Sequence, residues 1–320
     1  VLVLHEAISP DARADELDAL VQVEQVSEAL RQQGWGVTSL ATGLELETTQ
    51  TAIREWNPDC VFNLVESLAG DGRLIHFIPA LLETAGVSFT GCNSDAIYLS
   101  SNKLLAKRWM DKHGISTPAI LTSACKENDA SGRWIVKSVW EHASFGMDDG
   151  CIVDGAEAAW ARIEASKSRY GGEWFAEAFI DGREFNISVL EQRDGIRILP
   201  AAEMTFVDYP ADKPKFVGYA AKWDEEAPEY HATQRQFASL PDQLGKAINQ
   251  VVEKCWQCFG LGGYARVDFR VDVAGKPWVL EVNANPCIAK DAGFIAAALQ
   301  AGISYNELVN QLVQTSGLNN

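Results

Sequence analysis

The stretch GYARVDFRVDVAGKPWVLEVNANP, residues 263–286, decides the fold. Two strand-like runs, 264–271 and 278–282, flank a turn at Ala274-Gly275-Lys276, a pattern that predicts a β-hairpin. Side chains alternate faces along a strand, so Arg266, Asp268 and Arg270 share one face of the first run and Glu281 and Asn283 one face of the second. Three oxygen ligands, Asp268, Glu281 and Asn283, thereby reach the ends of adjacent strands with Arg266 beside them. Hard donors of this kind suit Mg2+, which takes one or two carboxylates and fills its other positions with water and substrate phosphates. The alternative is a polar sheet face carrying a solvated salt bridge. Against it, Glu281 and Asn283 belong to an otherwise apolar strand, Trp278-Val279-Leu280-Glu281-Val282, where a carboxylate is costly unless paired or metal-bound.

The chain has 320 residues, 47% hydrophobic and 22% charged, enough apolar material for a large core in two or three lobes. A formal net charge of −17 argues against general nucleic-acid binding, which needs excess Lys and Arg to neutralise a phosphate backbone. An anionic small ligand stays compatible, because a few lysines make a local positive pocket on an acidic protein. The seven cysteines, Cys60, Cys92, Cys125, Cys151, Cys255, Cys258 and Cys287, are odd in number and scattered, unlike a disulfide framework. Cys255 and Cys258 form a CxxC on the apolar stripe Leu244, Ile248, Val251, Cys255, Cys258 and Phe259, and read as small core residues of a helix rather than a redox or zinc site. No apolar run approaches membrane-spanning length, and the chain opens on a strand rather than a signal peptide, so a cytoplasmic protein is expected.

Along the first lobe strands alternate with helices: strands at 1–4, 37–40, 60–64 and 87–90, helices at 15–33 and 72–85. This alternation predicts a parallel sheet with its ligands at the carboxyl ends of the strands, here His5-Glu6 and 63–71 with Glu66. A helix at 101–113 follows, with Ser100, Ser101 and Asn102 as cap candidates and Lys103 in its first turn. A cation there opposes the helix dipole, so Lys103 is either an exposed surface residue or aimed with the helix N-terminus at an anion. Next come a strand at 133–137 ending in Lys137, a loop at 138–149 holding Ser144 and Gly146, a strand at 151–153, a helix at 156–170 and a strand at 173–179. The last part adds β-rich runs at 184–190 and 196–204 and a polar stretch at 205–233. A loop of that length inside a compact domain reads as a lid. A helix at 241–259, the hairpin, and helices at 292–301 and 306–314 complete the chain. Neither GxxxxGK[ST] nor a GxGxxG after the first strand is present, so phosphates, if bound, are held in another way.

Taken in order, several segments resemble the ATP-grasp superfamily, and within it the D-alanine–D-alanine ligases. They are GDGRLIHFIPALLETAGVSFTG (70–91), SSNKLLAKRWMDKHGISTP (100–118), WIVKSVWEHASFGM (134–147), EWFAEAFIDGREFNISVL (173–190), YAAKW (219–223), YARVDFRV (264–271) and VLEVNANP (279–286). The resemblance runs from about Val61 to the last helices. It implies a three-lobed α/β ATP-grasp fold: an N-terminal parallel α/β domain over 1–98, a central lobe over 99–180, and a C-terminal lobe with mobile loop and metal site over 181–320. It implies that Lys103 and Lys137 hold nucleotide phosphates, that Glu177 with Ala178, Phe179 and Ile180 forms the hinge presenting backbone groups to adenine, and that Glu184 binds the ribose. By the same resemblance Lys222 contacts phosphate from the mobile loop, Ser144 lies over the phosphates, Asp268, Glu281 and Asn283 bind a pair of Mg2+ ions, with Mn2+ an acceptable substitute, and Arg266 stabilises the tetrahedral intermediate.

The substrate side departs from the family. Where D-alanine–D-alanine ligases carry a Ser in the phosphate loop and a Tyr on the lid, hydrogen-bonded with an N-terminal Glu, this chain has Ala143 and Trp223, and the N-terminal partner falls near Asp15 or Glu16. His142 and Cys287 replace glycines, and Ala292 stands for the Ser that receives the second substrate's carboxylate. The nucleotide and metal set is retained while the amino-acid set is rewritten, which makes Glu16, His142, Trp223 and Asp291 candidate substrate residues. The expected activity is an ADP-forming, Mg2+-dependent carboxylate–amine ligase acting through an acyl phosphate on amino-acid-like substrates. The alternatives are a true D-alanine–D-alanine ligase of the cell wall and a non-catalytic ATP-binding module. Oligomeric state is open; the resemblance allows a homodimer through the first lobe.

Overall fold

A computed structural model of the chain describes residues 1–9, 12–123, 132–210, 213–237 and 239–316; Cys125 and the side chain of Asp15 lie outside the described residues. It begins with β1 (Leu2–Glu6), α1 (Ala14–Gln32), β2 (Thr38–Thr42), α2 (Leu46–Trp56) and β3 (Val61–Asn63). The strands pair in parallel in the order β2-β1-β3, as the alternation predicts. Nothing in the sequence reading anticipates α2. Its β-branched Thr48, Thr49 and Thr51 favour helix weakly, but the helix buries Thr49 and Ile53 and ends on Asn57 in the left-handed region (φ 43°). The strand expected at 87–90 reduces to one parallel bridge between Val61 and Phe89.

The helix predicted over 72–85 is broken. A 3-10 turn at Gly72–Leu74 is capped by Asp71, and α3 (Phe77–Ala85) follows. The helix predicted over 101–113 is preceded by α4 (Ser94–Ser101) and starts afresh as α5 (Lys103–Lys112). Between them Asn102 leaves helical geometry, and its Oδ1 accepts from the Leu105 N–H at 2.9 Å. A second, antiparallel sheet of order β5-β4-β6 is built from β4 (Arg133–Ser138), β5 (Ile152–Asp154) and β6 (Trp174–Ala178), with α6 (Ala156–Tyr170) packed on it.

Then come β7 (Gly182–Gln192), β8 (Gly195–Ile198), β9 (Ala202–Phe206), the short α7 (Ala220–Trp223) and α8 (Pro228–Ala232), β10 (Thr233–Gln236), α9 (Asp242–Phe259), β11 (Tyr264–Asp272) and β12 (Pro277–Asn283). Their strands form one antiparallel sheet along the path β10-β9-β7-β11-β12, with β8 on β7. The strand run expected at 196–204 is divided around Pro200, which has no N–H for a ladder. The β11–β12 hairpin sets Asp268 opposite Glu281 and Arg266 opposite Asn283, with a register shift just after Asp268. Ile97 of α4, Met110 of α5 and Ile248 of α9 share one core with Phe185, Val267 and Val279 of this sheet. Finally α10 (Gly293–Gln300) and α11 (Tyr305–Thr315) return to the first lobe, where Phe294, Leu308 and Leu312 pack with Val26 and Leu30 of α1.

Glu6 ends β1 and is buried, and burial pushes its carboxyl up from 4.5 to about 7. The folded state therefore holds this proton more tightly than the unfolded chain. The resulting stability is complete below pH 4.5 and is lost as pH rises through about 7. Glu6→Gln should match the native protein near pH 4 and exceed it by about 3 kcal/mol near pH 8, read from denaturant midpoints. Equal stabilities at the two pH values would show that Glu6 titrates as an ordinary carboxylate.

Candidate active site

A cavity of about 550 Å³ lies where the second sheet, the six-stranded sheet and the first lobe meet. Lys103, Lys137, His142, Ser144, Glu177, Ala178, Phe179, Ile180, Glu184, Lys222, Trp223, Arg266, Asp268, Glu281, Asn283 and Asp291 all line it. Glu16 does not. Its Oε2 accepts the Arg13 N–H at 2.7 Å, so this carboxylate serves the N-terminus of its own helix. Asp18 of α1 and Glu66 after β3 reach the cavity instead.

Lys103 is not a surface residue. The break at Asn102 places it at the start of α5, where it is 7% exposed and its Nζ donates to the Glu141 carbonyl at 2.6 Å. Lys137 on β4 donates to Glu177 Oε1 at 2.7 Å, and the buried Glu177 side chain is met from the other side by Lys107 of α5. Lys107 also donates to Thr117 Oγ1 at 2.6 Å, and Thr117 to the Val279 carbonyl of β12 at 2.8 Å. Burial works against the charge on Glu177, but the two ammonium groups outweigh it and hold the carboxyl below its ordinary value. Sequence reasoning missed Lys107. The available signal was its position one helical turn after Lys103.

Arg266 grips Asp268 with two bonds, Nε to Oδ1 at 2.7 Å and Nη2 to Oδ2 at 2.8 Å. Asn186 of β7, facing Asp268 across the strand pair, adds Nδ2 to Oδ1 at 2.8 Å. Asn186 was also missed, although its spacing of two from Glu184 puts both on one face of β7. Burial pushes Asp268 up despite Arg266. Burial opposes Glu281 as well, yet the cations Lys103, Lys222 and Arg266 together hold it well below the usual carboxylate range. Burial, reinforced by Lys103, lowers His142 to about 4, so its imidazole is neutral, and its buried Nε2 has no hydrogen-bond partner among the described residues. In the segment expected to form the hinge, the Ala178 and Phe179 N–H groups donate to Ala119 and Arg133 carbonyls at 2.9 and 2.8 Å, and the Ile180 carbonyl accepts from Arg270 at 3.2 Å. These three backbone groups are therefore already engaged.

The 138–149 loop turns through left-handed residues at Ala143 (φ 57°), Ser144 (φ 60°) and Gly146 (φ 68°). Glycine is required at 146, where a Cβ would lie 2.4 Å from the Trp174 ring. The segment following β9 is fastened to this loop. Trp223 Nε1 donates to the Ala143 carbonyl at 3.1 Å, Ser144 Oγ to the Val217 carbonyl at 3.0 Å, and the Tyr219 N–H to the Met147 carbonyl at 3.0 Å. Where the first lobe borders the cavity, Gln22 Nε2 bridges Asp18 Oδ2 and Glu66 Oε1, both at 3.1 Å, and Cys287 Sγ donates to Asp18 at 3.0 Å. Burial and the neighbouring Glu66 and Asp18 push the Cys287 thiol well up, which keeps it protonated and unreactive.

The cavity thus gathers cations around two carboxylates and also takes in Asp18 and Glu66 from the first lobe. Residues 124–314 match the family model described as D-ala D-ala ligase C-terminus. The chain belongs to the D-Ala–D-Ala ligase family. That family consists of ATP-dependent, peptide-bond-forming ligases. A D-alanine–D-alanine ligase of Marinomonas sp. (strain MWYL1) is 31% identical over 252 residues, 77% of this chain and 73% of its own. One from Methylococcus capsulatus is 29% identical over 298 residues, covering 91% and 88%. An uncharacterized protein, y4sG, of Sinorhizobium fredii is 29% identical over 259 residues, covering 80% and 74%. The fold is similar to that of the Bacillus anthracis D-alanine–D-alanine ligase solved with ATP, with a TM-score of 0.75 at 19% identity over 98% of this ligase and 96% of that one. No helix among the described residues is long and apolar enough to cross a membrane.

Lys107→Met leaves Glu177 with one of its two cations in a fully buried setting. The variant is expected to lose about 3–5 kcal/mol in chemical denaturation. A loss below about 1 kcal/mol would mean that Glu177 does not need this partner.

Proposed function

We propose that the chain is an ADP-forming, Mg2+-dependent carboxylate–amine ligase that works through an acyl phosphate, on amino-acid-like substrates held by a pocket rewritten relative to its family. The observation that carries this reading is the convergence of Lys103, Lys137, Lys222 and Arg266 around the facing pair Asp268 and Glu281 in one cavity. The donor set fits Mg2+. Among the described residues no cluster of three or more His, Cys, Asp or Glu could cage a metal, and Mg2+ needs none, because it takes one or two carboxylates and completes its shell with phosphate and water. Asp268, Glu281 and Asn283 would hold it. Its chemistry there would be to offset the charge of the nucleotide phosphates.

The chain's own residues do the rest. Lys103 and Lys137 hold phosphate oxygens, and Lys222 adds a third cation from the segment over the cavity. A substrate carboxylate then approaches the γ-phosphoryl group without repulsion, and positioning supplies most of the rate. In the second step an amine attacks the acyl carbon and phosphate leaves. Arg266, fixed by Asp268, stabilises the oxyanion, a role that contributes roughly 3–4 kcal/mol elsewhere. The ties from Trp223 and Ser144 keep the segment seated so that water does not reach the acyl phosphate. Asp18 and Glu66 offer carboxylates suited to a substrate ammonium group, and Arg235, which feels Asp291, adds a cation beside them. His142, whose buried Nε2 has no hydrogen-bond partner among the described residues, and Trp223 line the cavity as specificity residues.

Phosphate release from ATP and Mg2+ across an array of amino acids and dipeptides, singly and in pairs, tests this reading. Release that requires both a carboxylate and an amine donor supports it, and release with D-alanine alone would make Ala143 and Trp223 tolerated variants of a D-alanine–D-alanine ligase. Glu281→Ala should lower turnover by at least about 1000-fold with the fold intact by circular dichroism; near-native activity would remove the metal assignment.

A further inference from the structure

Arg270 is the third member of the polar face that carries Arg266 and Asp268, and the chemistry above gives it no task. It is 3% exposed and lines the same cavity. Its fork reaches three separate structures: Nη1 donates to the Ile180 carbonyl at 3.2 Å, and Nη2 donates to Glu184 Oε2 at 2.9 Å and to the Lys215 carbonyl. The guanidinium also lies 5.0 Å from the centroid of the Phe179 ring. A buried cation must be paired, and one acceptor would do that. Three acceptors from the expected hinge, from β7 and from the segment over the cavity indicate a connecting role, and the planar fork of Arg meets them where a single ammonium group cannot. Its own strand, β11, is paired on both sides, so the guanidinium is a fixed point to which the other three parts are referred.

We propose that Arg270 is a positioning residue of the nucleotide site. It fixes one oxygen of Glu184, leaving the other directed to the sugar hydroxyls, and it couples this alignment to the seating of the 213–223 segment. The inference rests on the reading of Glu184 as the ribose-binding carboxylate.

The test is competitive binding of ATP, 2′-deoxy-ATP and 3′-deoxy-ATP, with Mg2+, to the full chain and to Arg270→Met and Arg270→Lys. The unaltered chain should prefer ATP over at least one deoxy analogue by about tenfold. In Arg270→Met, ATP should weaken by about tenfold while that analogue changes little, so the preference falls to near one, and KM for ATP should rise more than kcat falls. Backbone amides of 213–223 should exchange faster in the same variant, and Arg270→Lys should be intermediate. If Arg270 only stabilises the fold, all three nucleotides weaken together and the preference survives, which overturns the inference. Should Arg270→Met not fold, the same ratio is read from Arg270→Lys, where an unchanged preference is equally negative. An unaltered chain that binds ATP without discrimination keeps the nucleotide site and removes the role of Arg270. One that binds no nucleotide removes both.

Discussion

Asp268, buried, and Glu281, half-buried, stand opposite each other on β11 and β12, and two carboxylates at cross-strand distance repel unless cations are set among them. The rest of the structure can be read as the supply of those cations. Arg266 comes from the same strand, Lys103 from a helix restarted by Asn102, and Lys222 from the segment beyond β9. Each cation is itself taken out of water and needs its own anion. At an effective dielectric constant near 20, a contact at 4 Å contributes on the order of 4 kcal/mol, comparable to the cost of burying either group. Removing one member therefore leaves the charge of its neighbours uncompensated. The arrangement also concentrates positive charge in one cavity of a chain whose formal net charge is −17.

What the sequence made legible were the features with a local rule. Strand alternation brought Arg266 and Asp268 to one face of β11, and Glu281 declared itself by interrupting an apolar run, so the hairpin and its carboxylates needed no distant information. Resemblance of ordered segments supplied Lys103, Lys137, Glu184 and Lys222, all of which the fold brings to the cavity. Partners from far along the chain were not legible. Lys107 meets Glu177 across a strand and a helix, and Asp18 meets Cys287 from the opposite end of the chain. Glu16 and Asp18 illustrate the limit: two residues along a helix is more than half a turn, so choosing between them requires knowing which side of α1 the 284–291 loop lies on. α2 was hidden for another reason, since its threonines argue against a helix that tertiary burial of Ile53 nevertheless supports.

The first lobe and the end of the chain are one structural unit where they border the cavity. Gln22 accepts the Ile288 N–H at 3.0 Å and Gln25 the Lys290 N–H at 2.7 Å, so α1 sets the path of the loop that carries Cys287 and Asp291. α10 and α11 then bury their apolar faces against α1. Cys287 and Ala292 thus sit on a backbone held by groups other than themselves.

The fastening of the segment beyond β9 has an evolutionary consequence. Trp223, Ser144 and the Tyr219 N–H all take hold of main-chain carbonyls, at Ala143, Val217 and Met147. A main-chain carbonyl survives any substitution that leaves the backbone path intact. The side chains at 142 and 143 are therefore free to drift while the cover over the cavity stays attached. Change at these two positions is thus decoupled from the attachment of the segment that borders the cavity.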